Sequence, residues 1–210
     1  MSLSTLLLDL VIMNTFKLLL EINLKKFTCF PKFFSIFLLL ISCGIISFCS
    51  TPKKEFPERY LCLKGDCTSG YGIQEFNRGF QKTARYEGNF KNGKYEGEGT
   101  YTFENKDKYK GSFMDDKISG KGVYEFYDSG DIYKGEFKEE LMDGKGVYIT
   151  KKGNRYEGNF KRGKLYGEGK LIKKDGEIFT GNFKDDYPLG KAVIKNKSGK
   201  VIFDGEFIEK

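Results

Sequence analysis

One short unit keeps returning along this chain: "YEGNF" from Tyr86, "YKGSF" from Tyr109, "YKGEF" from Tyr133, "YEGNF" from Tyr156, "FTGNF" from Phe179 and "FDGEF" from Phe203. Successive starts lie 23, 24, 23, 23 and 24 residues apart. Eleven residues after each of the first five comes a second signature: "GEG" from Gly97, "GKG" from Gly120, "GKG" from Gly144, "GEG" from Gly167 and "GKA" from Gly190. A fixed period of this length signifies a repeat architecture. Each unit is then one supersecondary element that buries its apolar side only by stacking on its neighbours.

Within the unit the side chains alternate as in a strand. Asn92-Gly93 is the strongest two-residue hairpin signal and favours a type I′ turn. Folding about it pairs Lys91 with Lys94, Phe90 with Tyr95, Gly88 with Gly97 and Tyr86 with Gly99. One face then carries Tyr86, Gly88, Phe90, Tyr95, Gly97, Gly99 and Tyr101; the other carries Glu87, Asn89, Lys91, Lys94, Glu96, Glu98 and Thr100. The same register sets Ile118 against Phe113, Met142 against Phe137, Leu165 against Phe160 and Pro188 against Phe183. Between hairpins it sets Glu98 against Lys110 and Lys145 against Glu157, with Lys121 against Lys134 as a like-charge exception.

The expected fold is all-β: a curved single-layer antiparallel sheet of consecutive β-hairpins, with Tyr and Phe along its concave side. The repeated glycines are read as structural: Gly88, Gly97, Gly99, Gly111, Gly120, Gly122, Gly135, Gly144, Gly146, Gly158, Gly167, Gly169, Gly181 and Gly190. They leave bare backbone on which a ring can lie flat, and they let the sheet twist and bend. A phosphate-binding loop would need a helix after the glycines, and none follows.

These residues resemble the MORN repeat, whose unit has the form Y-x-G-x-F-x-x-G-x-x-x-G-x-G. The resemblance runs over residues 86–207, with a divergent half-unit reaching back to Cys62. Ala192 replaces the last glycine of the fifth unit, and only the first and fourth units keep the middle glycine, as Gly93 and Gly163. The resemblance implies a scaffold or adaptor; some members dimerise, and phospholipid binding has been proposed for others.

An uncovered strip of aromatics on one face points the same way, to a groove for a protein partner or a second copy. Its candidate residues are Tyr86, Phe90, Tyr109, Phe113, Tyr133, Phe137, Tyr156, Phe160, Phe179 and Phe183. The second reading is envelope ligand binding by the same face, with an anionic lipid headgroup or a cell-wall glycan as the ligand.

Cys62 and Cys67 have the same five-residue spacing as each Phe and its apolar partner. With Lys64-Gly65 as the turn they stand opposite each other, close enough for a disulfide that caps the open end of the ribbon. The alternative is two reduced cysteines filling an edge. Two cysteines in a chain without His do not make a structural zinc site.

Residues 33–50 read "FFSIFLLLISCGIISFCS", an uncharged apolar run preceded by Lys25, Lys26 and Lys32. That is the order of a secretory signal. Leu40, Ile41 and Ser42 before Cys43 resemble a bacterial lipobox, in which the Cys takes the lipid and becomes the mature N-terminus. Cys49 is a poorer site, because Phe48 before it is too large. The alternative is an uncleaved membrane anchor over Phe33–Pro52. Either way the lysines keep the N-terminal side inside and the remainder is exported, so the expected location is the bacterial cell envelope.

The domain plan is therefore a signal peptide over 1–42, with Met13 as a plausible true start, and a lipidated N-terminus and tether over 43–59. The repeat domain covers 60–210: a half-unit at 60–85, five units at 86–202 and a closing half-unit at 203–210.

The rest of the composition narrows the function. With no His, the commonest general base and metal ligand is missing. The 36 basic and 29 acidic residues are intermixed, so no face concentrates Lys and Arg as nucleic-acid binding requires. No nucleophile–base arrangement or metal cluster appears, and the repeats leave no room for a catalytic domain after residue 60. The reading is a non-catalytic protein without a cofactor.

Overall fold

The computed structural model describes residues 58–78 and 81–208, so the apolar N-terminal run, Cys43 and the tether lie outside the described residues. The described chain is one antiparallel sheet of thirteen strands in which each strand pairs only with its sequence neighbours. The cap hairpin is β1 (Glu58–Gly65) and β2 (Gly70–Arg78). The five units are β3 (Gln81–Lys91) with β4 (Lys94–Thr102), β5 (Lys108–Met114) with β6 (Lys117–Glu125), β7 (Ile132–Lys138) with β8 (Leu141–Ile149), β9 (Arg155–Lys161) with β10 (Lys164–Ile172), and β11 (Ile178–Lys184) with β12 (Tyr187–Lys195). β13 (Val201–Phe207) closes the series. The sheet does not close on itself, and no helix occurs among the described residues. This is the ribbon of hairpins expected from the repeat.

The register near each turn is the expected one. Phe90 faces Tyr95, Phe113 faces Ile118, Phe137 faces Met142, Phe160 faces Leu165 and Phe183 faces Pro188. Beyond that point it departs from expectation by two residues: Gly88 faces Gly99, not Gly97, and Tyr86 faces Tyr101, not Gly99. Three residues, Glu96, Gly97 and Glu98, bulge against Asn89 alone. Gly97 makes the bulge by taking φ +70°, a left-handed conformation that costs little only without a Cβ. The same shift appears in the other units, and Gly120, Gly144, Gly167 and Gly190 all have positive φ.

The charge pairings between hairpins change with the register. Glu98 faces Ser112, Lys121 faces Glu136 and Lys145 faces Asn159, so the expected like-charge contact between Lys121 and Lys134 does not form.

The two glycines of each G-x-G therefore have separate jobs. The first makes the bulge. The second joins a row that crosses the sheet: Gly72, Gly88, Gly99, Gly111, Gly122, Gly135, Gly146, Gly158, Gly169, Gly181, Ala192 and Gly205. The rings of Tyr86, Tyr109, Tyr133 and Tyr156 lie on this row. A Cβ on Gly146, for instance, would stand 2.5 Å from the Tyr133 ring. Each hydroxyl donates to the carbonyl three residues on, Tyr86 to Asn89 at 2.9 Å and Tyr133 to Glu136 at 3.0 Å.

Phe rings stand edge-on at both sides of each Tyr. Tyr133 meets Phe137 at 88° and Phe160 at 79°, with centroids 5.1 and 4.9 Å apart. Such edge-to-face pairs suit the ring quadrupole. The result is a continuous herringbone from Phe90 to Phe183, covered by Tyr95, Ile118, Met142, Leu165 and Pro188.

Both long edges are stitched from one hairpin to the next. At the tight turns both central residues have positive φ, and in three units neither is glycine: Asp115-Asp116, Glu139-Glu140 and Asp185-Asp186. Each such residue costs roughly 1 kcal/mol. Bonds to the preceding hairpin offset it: the Asp116 N–H donates to the Tyr95 carbonyl at 3.1 Å, and the Asp116 carboxylate accepts from the Tyr95 N–H at 2.8 Å. Asp186 does the same with Leu165. At the other edge Asp107 accepts from the Tyr124 hydroxyl and the Tyr127 N–H, and Asp131 accepts from the Tyr148 hydroxyl and the Lys151 N–H. In the next unit Leu171 replaces that Tyr, and the acceptor becomes Asn154, bonding the Lys174 N–H. A charged acceptor goes with a buried hydroxyl, and a neutral one with its absence.

Cys62 and Cys67 are bonded, with Cα atoms 5.9 Å apart. They are not a cross-strand pair, because Cys62 faces Gln74 in the ladder and Cys67 lies in the loop after β1. β1 runs through Lys64-Gly65 instead of turning there, so the bridge ties the strand to its own loop.

Candidate functional site

The ten aromatic residues expected to line an open groove do come together, but as a sealed core. Tyr86, Tyr109, Tyr133 and Tyr156 are 0% exposed, and Phe90, Phe113, Phe137, Phe160, Phe179 and Phe183 are buried as well. Glycine explains the difference. A ring lying flat on bare backbone leaves room for a second layer above it, so a single sheet covers its own apolar face. Burial pushes the hydroxyls of Tyr86, Tyr109, Tyr133 and Tyr156 far above the ordinary tyrosine range, and nearby carboxylates add to the shift at all four. These groups stay neutral and hold the core.

An open recess lies on the other face. Behind the glycine row, where β6 to β9 cross, an open trough of about 670 Å³ is lined by Lys121, Lys134, Glu136, Lys145, Val147, Glu157 and Asn159, with bare glycine backbone between them. Parity puts these side chains opposite the rings, and the two-residue bulge preserves parity.

Both carboxylates in the trough are engaged. Glu136 accepts from the Lys145 N–H at 3.1 Å, holding the bulge at Gly144, and Glu157 pairs with Arg155. In the first and fourth units, which carry Asn at this bulge position, Asn89 and Asn159 donate their side-chain amides to the carbonyls of Glu98 and Glu168. The three ammonium groups have no ion-pair partner among the described residues.

A charge pattern runs along this face. At the two corresponding positions of successive units stand Glu87 and Glu98, then Lys110 and Lys121, then Lys134 and Lys145, then Glu157 and Glu168. The two middle repeats are basic and their flanking repeats acidic. The acids have partners of their own: Glu87 takes the Tyr71 hydroxyl and Arg85, which hold its carboxyl below the usual range, and Glu98 takes the Ser112 hydroxyl. Sequence reasoning named several of these residues as register support and missed them as a surface. The signal was present in the E–K–K–E order, which gives this face its charge.

The family model for the MORN repeat matches residues 86–108, 109–130, 133–155 and 156–178. No curated protein matches the chain. Among solved structures, a similar one is "SAS-4 (dCPAP) TCP domain in complex with a Proline Rich Motif of Ana2 (dSTIL) of Drosophila Melanogaster". It is 10% identical, the match covers 75% of this chain and 90% of that one, and the TM-score is 0.39. The match thus consists of four consecutive repeats within residues 86–178 of this chain.

Proposed function

We propose that this protein is a non-catalytic scaffold of the bacterial cell envelope. It is exported and membrane-attached through lipidated Cys43 or an uncleaved apolar N-terminal segment. It binds a protein partner on the polar face of its repeats, not on the aromatic one. The observation that carries this reading is the trough behind the glycine row, with Lys121, Lys134 and Lys145 unpaired among the described residues while Glu136 and Glu157 are engaged. Such a surface suits an extended acidic segment of the partner, whose carboxylates would meet ammonium groups already ordered on rigid strands. MORN repeats commonly serve as interaction modules, and the sealed ring face leaves this face as the one open to contact.

A photoreactive residue at Val147 in the full-length protein tests the partner. The expected result is a crosslinked protein that disappears when Lys121, Lys134 and Lys145 are changed to Glu. A crosslink indifferent to charge reversal, or one made to glycan or lipid alone, would overturn it. Intact mass of the membrane-extracted protein beside Cys43→Ala tests the attachment. An acylated chain beginning at Cys43 supports the lipoprotein, and an unmodified mass retaining residues 33–50 supports the uncleaved anchor. A chain outside the membrane fraction contradicts both.

A further inference from the structure

We infer that the free β1 edge of the ribbon rests in the interfacial layer of the membrane that holds its anchor, with Tyr60, Leu61 and Leu63 as the inserted side chains. The inference builds on the membrane-attached reading above.

In the middle of the sheet the second layer over the rings is closed, and Ile118, Tyr124, Met142 and Tyr148 are buried. At the N-terminal end the corresponding Tyr95 and Tyr101 are only half-buried. Past them Tyr60 leans on Phe76 with centroids 4.8 Å apart and stays 66% exposed. Leu61 and Leu63 are exposed on the same strand.

β1 is also an edge, with a row of backbone groups that no neighbouring strand among the described residues satisfies. Exposed apolar side chains on such an edge invite association, which proteins usually prevent with charge. β1 keeps its charges at its two ends, Glu58 and Arg59 before and Lys64 after an unbroken "YLCL", whereas β13, the opposite edge, which exposes Val201 and Ile202, sets Asp204 and Glu206 among its apolar residues.

Position along the chain names the occupant. The uncharged run ends at Pro52, six residues before β1 begins at Glu58. Six extended residues reach about 20 Å, so an apolar anchor there would keep β1 within that distance of the bilayer. Glu58 lies fifteen positions after Cys43, so a lipid at Cys43 would allow about 50 Å. In both cases the contact is intramolecular with the anchor, and a weak insertion is multiplied by effective concentration. Tyr favours the headgroup layer, where its ring is covered and its hydroxyl stays wet. The unpaired backbone of β1 limits insertion to that hydrated layer, since hydrocarbon would leave its N–H and C=O groups unsatisfied.

The chain contains no Trp, so a single Tyr60→Trp is a clean reporter in the full-length protein, with Tyr187→Trp in the fifth unit as the distant control. Each is reconstituted in vesicles of phosphatidylethanolamine and phosphatidylglycerol carrying acyl chains brominated near the headgroup. Flotation reads the anchor, and quenching reads the docking. The expected result is co-flotation of both variants, with more than half of the emission lost at position 60 and none at 187. Adding Leu61→Asp and Leu63→Asp should restore the emission at 60 while flotation persists. Co-flotation without quenching at 60 would overturn the docking and leave the anchor standing. Crosslinking of β1 to a second copy without quenching would replace the membrane with self-association. Failure to float would remove both readings.

Discussion

The third and fifth units have the same hairpin, bulge and spacing, yet their ring stacks differ. In the third, Tyr133 lies on Gly135 and Gly146, bonds the Glu136 carbonyl and meets Phe137 at 88°. In the fifth, Phe179 has no hydroxyl to donate, the second glycine is Ala192, and the Phe179–Phe183 pair is tilted to 57°. A Cβ on Gly181 would first meet the Ala192 methyl at 2.7 Å rather than the Phe179 ring. The contrast teaches what the glycine pair is for. It admits a ring flat against the backbone, and the hydroxyl locks that ring in place. In the fifth unit, where the hydroxyl is missing, the second glycine is not kept either, and the family model matches the first four units alone.

The largest expected effect separates the units by pH. Burial raises Tyr101 from the ordinary value near 10 to about 12, and raises Tyr86, Tyr109, Tyr133, Tyr148 and Tyr156 further. A phenol whose folded pKa is raised contributes stability that is complete below its unfolded pKa. That contribution is lost as pH climbs through the folded value. Thermal stability should therefore fall steeply from about pH 10 to 12 and beyond, with tyrosinate absorbance of these groups appearing only on unfolding. Their gradual titration in an intact fold would break the comparison.

Next is Gly146→Ala, which places a methyl inside the Tyr133 ring and should cost about 3 kcal/mol by urea denaturation. Ala192→Gly, which asks nothing of Phe179, should cost less than about 1 kcal/mol. Smaller than the loss at Gly146 is that at the outer edge: Asp131→Ala strands the Tyr148 hydroxyl and the Lys151 N–H, for about 2 kcal/mol. Asn154→Ala beside Leu171 strands only the Lys174 N–H, for about 1 kcal/mol. Equal losses at these two positions would show that the hydroxyl does not set the choice of acceptor.

Alternation and turn chemistry made much of the fold legible beforehand: the two faces, the tight turn at Asn92-Gly93, and the partner of each Phe. The bulge was not legible, because a two-residue shift leaves every side chain on its own face and the hydrophobic pattern cannot register it. The same register places turns at Asp115-Asp116 and Glu139-Glu140, but how residues other than glycine take the turn geometry there was not legible. Bonds to the preceding hairpin hold these turns in left-handed geometry, and those bonds join residues about twenty apart in sequence.

The site was misplaced for a physical reason as well. Counting rings on one side of one sheet predicts an exposed strip, unless glycine lets those rings lie flat and carry a cover. The glycine–tyrosine platform thus decides both the stability of the ribbon and which face is left for a partner.

The most direct test of that platform is a double-mutant cycle on Tyr133→Phe and Gly146→Ala, which converts the third unit toward the fifth. Tyr133→Phe alone should cost about 1 kcal/mol, the loss of one hydrogen bond. The account predicts that the double variant is clearly more stable than the sum of the two single losses, because a ring without its hydroxyl anchor can tilt off the added methyl as Phe179 does. Simple additivity within about 0.5 kcal/mol would contradict it, and would mean that ring and glycine do not act as one unit.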